Sequence, residues 1–124
     1  MSKSKSERRV ADNQSIAILN TLRSSPSKVS LVADLIRGAD AADAMQQLTF
    51  SKRAVARPMK KLLQSAIANA ENNHNLDIDR LFVKEVRVGK GFVMKRFQAR
   101  ARGRAAKIQK FFSNIAIVLE EKAE

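Results

Sequence analysis

The sequence has no cysteine, a single histidine and no apolar run that approaches the length of a bilayer span. Each absence removes a class of function. Without cysteine there is neither a disulfide nor a thiolate metal site. With His74 as the sole imidazole, a His-based zinc or catalytic cluster has no material, and a polar residue at a helix end is the reading for it. No cofactor is expected, and no nucleophile–base constellation or phosphate loop points to an enzyme. Residues 1–15 carry charge with no apolar segment behind them, so no secretory signal is expected and the chain reads as cytoplasmic. Acidic residues are also scarce. There are 12 Asp and Glu against 24 Lys and Arg, a formal net charge of +12. A small domain needs far less to stay soluble, and self-repulsion of this size calls for a polyanion. Nucleic acid comes first. An acidic membrane surface is second, but the basic segment lacks the amphipathic helical stripe that membrane binding uses.

The 124 residues suit one domain with one modest core. Residues 1–15 show no periodicity and read as a flexible basic arm, leaving 16–124 as a single domain. Ser25-Pro26 opens a first helix, with Ser25 placed to cap it and Pro26 at its first position. Val29, Val32, Leu35 and Ile36 follow at helical spacing, and Gly38 ends it. Asp40 is placed to cap a short second helix carrying Ala41, Ala44, Met45 and Leu48, which Thr49-Phe50-Ser51 breaks. A third helix, about Lys52 to Asn72, buries a stripe of Met59, Leu62, Leu63, Ala66, Ile67 and Ala70. Pro58 within it predicts a kink or a late start. Asp77 and Asp79 read as turn residues. Leu81–Val88 then reads as a strand. Its parity changes midway, which a bulge or a change of environment near Lys84-Glu85 would explain. Ile108–Leu119 is the returning strand, with Ile115, Ile117 and Leu119 on one face.

The connection between these strands is too long and too charged for an ordinary turn, so the simplest geometry is a two-stranded arm, about residues 84–110, projecting past the core. From Arg87 to Lys110 its cations are Arg87, Lys90, Lys95, Arg96, Arg100, Arg102, Arg104, Lys107 and Lys110, and no acidic residue lies among them. Arginine forks a phosphate, lysine supplies a point charge, and the interleaved Phe92, Met94 and Phe97 offer surfaces for stacking on an unpaired base. One ring of Phe111-Phe112 is expected in the core and the other over the base of the arm. Further cations lie nearer the core: Arg23, Lys28, Arg37, Lys52, Arg53, Arg57, Lys60 and Lys61. Such residues often do no more than solvate helix faces. Composition alone makes nucleic acid the partner without separating RNA from DNA.

Three stretches in register add a resemblance: SSPSKVSLVADLIRG (Ser24–Gly38), LLQSAIANAENN (Leu62–Asn73) and MKRFQARARGRAAKI (Met94–Ile108). From about Arg23 to Leu119 the chain resembles the family of bacterial large-subunit ribosomal protein twenty-two. By position, Met94-Lys95-Arg96 matches the family's tip motif. Arg100, Arg102, Gly103 and Arg104 match its returning basic run. Lys28 and Ile36-Arg37-Gly38 match its first-helix motif, and Ser65–Glu71 its long-helix signature. The chain departs from the family pattern at Ser30, Asn72, Ala99 and Asn114.

The resemblance implies an α+β fold, with three helices packed on a small antiparallel sheet and a long basic β-hairpin extending from it. It implies a structural constituent of the large ribosomal subunit that binds large-subunit (23S) rRNA early in assembly, with a hairpin tip lining the nascent-peptide tunnel. Lys28, Arg37 and the arm cations become its rRNA contacts, and Phe92, Met94 and Phe97 its stacking or tip residues. Its partners would be that RNA, neighbouring large-subunit proteins and the nascent peptide. Membrane binding and self-association are not expected. The alternative is a DNA-bending architectural protein with basic β-arms.

Overall fold

Residues 11–122 are described by a computed structural model. The element absent from the sequence reading comes first. Strand β1 (Gln14–Leu22) is followed by helices α1 (Pro26–Ile36), α2 (Ala41–Phe50) and α3 (Ala56–His74), then strands β2 (Leu81–Ala99) and β3 (Ala105–Glu121). The strands form one antiparallel sheet in the order β1-β3-β2. The fold is α+β, with the helices on one face of this sheet. The N-terminal arm expected over residues 1–15 falls largely outside the described residues, but Gln14 and Ser15 already belong to β1.

Each helix forms where its apolar spacing and its ends agree. Helix α1 has Pro26 in its first turn, where a backbone donor is not needed, and buries Val29, Val32, Ala33 and Ile36. Gly38 follows with φ +78°, and its N–H donates to the Val83 carbonyl, docking the helix end on β2. Helix α2 runs on through Phe50, beyond the break expected at Thr49. Ser25 and Asp40 occupy the cap positions without side-chain cap bonds. Helix α3 starts late, at Ala56, so that Pro58 falls among the first residues, whose N–H groups have no intrahelical acceptor. Asn75, left-handed at φ 54°, closes it.

The core lies between the helices and the inner face of the sheet. Ile36, Met59, Leu63, Leu81, Ile115, Ile117 and Leu119 are among its fully buried side chains. Two buried hydroxyls pin helices to strands. Ser15 Oγ donates to the Ala66 carbonyl at 3.0 Å, and Ser113 Oγ to the Ser24 carbonyl at 2.7 Å. Between Val83 and Glu85 the register with β3 shifts by one residue, which is the bulge expected at Lys84. It lets Val83 and Val86 both face the helices. Asp77 forms a turn, its carboxylate accepting from the Asp79 N–H at 3.0 Å.

Candidate nucleic-acid interface

Beyond Ser113 the two strands leave the core. No residue from Gly89 to Phe112 is buried, yet β2 and β3 stay paired to the Ala99–Ala105 rung. At roughly 3.3 Å per residue this arm projects on the order of 35–40 Å. The chain reverses at Arg100–Arg104, where the Arg100 N–H donates to the Arg104 carbonyl, with Arg102 (φ 62°) and Gly103 (φ +71°) both left-handed. The outermost residues are therefore Arg100, Arg102, Gly103 and Arg104. Phe92, Met94 and Phe97, expected as base-stacking or tip residues, lie down the shaft, Met94 opposite Lys110 and Phe97 opposite Lys107.

The register assigns the shaft residues to faces, because residues directly opposite share a side. Val93, Lys95 and Phe97 of β2 lie with Phe111, Gln109 and Lys107 of β3 on the side that carries the helices. Met94 and Arg96 lie with Lys110 and Ile108 on the other. Cations thus stand on both faces, which a strand lying on a surface would not need. Phe97 is 75% exposed, a ring left largely open on the shaft.

A second bulge marks the root of the arm. Gly91 and Phe92 together oppose Phe112, and the Phe92 and Phe112 rings stack with centroids 4.3 Å apart and planes at 19°. Arg23, just past the end of β1, donates to the Phe111 carbonyl at 3.1 Å, with its guanidinium 5.7 Å from the centre of the Phe112 ring. Lys90 stands at the same distance over Phe111. Neither ring enters the core as a fully buried side chain. Both are half-buried and build the root.

The cations divide into two groups. Arg37, Arg80, Lys84, Arg87 and Lys122 pair with Asp34, Glu121, Glu120, Glu85 and Asp40. Arg37 also donates to the Val86 carbonyl at 2.9 Å, tying α1 to β2. Arg87 and Glu85 are joined by bonds of 2.7 and 3.2 Å. The Arg87 side-chain hydrogen bond holds the Glu85 carboxyl below its usual range, and the same bond raises the guanidinium. Of the expected contacts, Arg37 and Arg87 are thus engaged within the chain. Lys28, Lys90, Lys95, Arg96, Arg100, Arg102, Arg104, Lys107 and Lys110 have no carboxylate partner among the described residues.

The family model described as ribosomal protein L22p/L17e matches residues 17–120. The chain belongs to the L22p/L17e family. Relatives described as large ribosomal subunit protein uL22 match over all of this chain. Those of Rhodospirillum centenum and Rhodospirillum rubrum are each 56% identical, with 94% and 98% of the relative's length covered. That of Brucella suis is 53% identical, with 96% covered. In this L22p/L17e chain the match takes in the whole arm, both bulges and all three helices.

Proposed function

We propose that this protein is a structural constituent of the large ribosomal subunit, in the cytoplasm, and that it works by binding that subunit's RNA rather than by catalysis. The observation that carries the reading is the arm, which has no core of its own and unpaired cations on both faces. Folded RNA segments repel through their phosphates. A strand pair set between them neutralises charge from two sides and releases counterions. Phe97 adds a ring on which an unpaired base can stack. Ordering a coreless arm costs conformational entropy that many phosphate contacts must offset.

In this reading the compact part docks early in assembly, and the arm then locks between RNA segments. The Arg100–Arg104 reversal reaches furthest from the core and is the part that would line the nascent-peptide tunnel. Neighbouring large-subunit proteins and the nascent peptide complete the partners. The DNA-bending alternative shares the basic β-arms, but membership of a ribosomal protein family favours RNA. Affinity for large-subunit RNA and for duplex DNA at matched salt separates the two. Tighter binding to the RNA is expected, and equal or stronger binding to the duplex refutes the reading.

A further inference from the structure

Regular pairing fails on both sides of β3 at one level, where the arm leaves the domain. On the β1 side Leu19 opposes Ile115 and Leu22 opposes Ser113, so Asn20 and Thr21 together face Asn114. On the β2 side Gly91 and Phe92 together face Phe112. A bulge interrupts the ladder and bends its strand, so the two together mark a line across which the arm can swing. Strand β1 ends here, and Thr21 and Arg23 tie that end to the arm. The Asn114 Oδ1 accepts from the Thr21 N–H at 3.2 Å. Arg23 donates to the Phe111 carbonyl at 3.1 Å, with its guanidinium over the Phe112 ring. Thr21 is left-handed at φ 64°, a conformation its branched Cβ disfavours. Such a backbone persists only where its surroundings hold it.

Resting on the RNA-binding reading above, we propose that Asn114 and Arg23 are positioning residues, which clamp the end of β1 to the root and fix the arm's direction before RNA arrives. Leverage gives two exposed contacts this effect. At roughly 3.3 Å per residue, a swing of about 10° at the root carries the tip about 6 Å. A hydrogen bond to a phosphate oxygen spans only about 3 Å, so such a swing breaks it. A clamped arm also loses less freedom on binding than a swinging one. The two hooks hold different groups. Asn114 takes a backbone N–H of β1, and Arg23 takes a carbonyl and a ring of β3. The Phe92–Phe112 stack closes the second bulge beside them. Asn114 is uncharged, so removing its carboxamide alters alignment and leaves the net charge as it is.

The test reads the arm's direction in the full chain without RNA. The chain has no cysteine, so Gln46→Cys on α2 and Gln98→Cys on the arm give two sites for spin labels, both exposed. Pulsed electron spin resonance then measures the spread of distances between domain and arm. A narrow distribution is expected for this labelled parent. Asn114→Ala and Arg23→Gln should each widen it, by about 5 Å or more when combined. Asn114→Asp keeps an acceptor for the Thr21 N–H and should stay narrow, a rescue that a general loss of packing would not show. If Asn114→Ala fails to fold, the Arg23→Gln distribution decides alone. Binding to large-subunit RNA is the second readout. Asn114→Ala should bind on the order of 3- to 10-fold more weakly, with the slope of log affinity against log salt unchanged. Equal widths in parent and variants overturn the clamp and leave the RNA reading standing. Wider distributions with unchanged affinity overturn the positioning role. A wild type that prefers duplex DNA to the RNA overturns the RNA reading and that role with it.

Discussion

A Cβ on Gly91 would stand 3.0 Å from the Phe112 carbonyl oxygen, closer than a side chain ordinarily approaches backbone. The bulge at the arm's root brings the two strands this near, and the carbonyl is fixed by the strand that carries it. Gly91→Ala is expected to destabilise the protein by about 1–2 kcal/mol and lower Tm by roughly 3–8 °C. Gly89 meets nothing within 4 Å of its own Cβ position, so Gly89→Ala should stay within about 1 kcal/mol of wild type. Thermal melts of the two variants check this pair, and equal losses would contradict the close approach.

The Ser113 hydroxyl is buried and donates to the Ser24 carbonyl, joining the root of the arm to the start of α1. Ser113→Ala removes the donor and leaves that carbonyl without it. A loss of about 1–3 kcal/mol is expected from denaturant unfolding, with the m-value unchanged. Ser113→Thr keeps the hydroxyl but adds a methyl to a full site, and should recover only part.

Arg87 is already committed to Glu85. Arg87→Gln should therefore change the salt slope of RNA binding less than Arg96→Gln, for which about 0.7–0.9 is expected if it meets a phosphate. Glu85→Gln should act the other way, freeing Arg87 and steepening the slope. The sign with pH follows from the lowered Glu85 carboxyl. The pair is intact above the ordinary carboxylate range. Its contribution is lost only as pH falls through the depressed value, when Arg87 is released. Chemical shifts of the two side chains across an acid titration report that release, and a Glu85 midpoint at or above the ordinary value would contradict it.

Val93 and Phe111 are paired across the arm, so residues 94–110 can be replaced by a two-residue Asn-Gly turn. The buried core lies below this cut and should fold with little change in Tm. The shortened chain should bind RNA with a much flatter salt slope, because the shaft and tip cations are gone. It should still bind RNA through the cations of the compact part. Complete loss of binding would sink the two-step order of docking and locking.

Much of the fold is legible in the sequence where local rules agree. Pro26 and Gly38 bracket α1, the parity change at Lys84 marks a bulge, and unbroken positive charge marks an arm without a core. Strand β1 is not legible in the same way. Ile16, Ala17, Ile18 and Leu19 form a short apolar run without alternation, which periodicity cannot assign. The run arises because β1 presents apolar residues to both faces of the sheet, burying Ala17 while Ile18 stays exposed. Nor does composition say which glycine turns the arm. Gly91 serves the bulge and Gly103 the reversal, so the tip lies beyond Met94-Lys95-Arg96. Asp34, three residues before Arg37, and Glu85, two before Arg87, are local signals that those cations are engaged. The grouping of Arg23, Lys28, Arg53 and Gln109 around one hollow has no such signal, because the four share no local motif.

The most direct test of the central claim is to pellet cell extract through a high-salt sucrose cushion and follow this protein. It is expected to stay with the large ribosomal subunit, held by phosphate contacts along the arm. Release into the supernatant, or sedimentation with DNA, would contradict it.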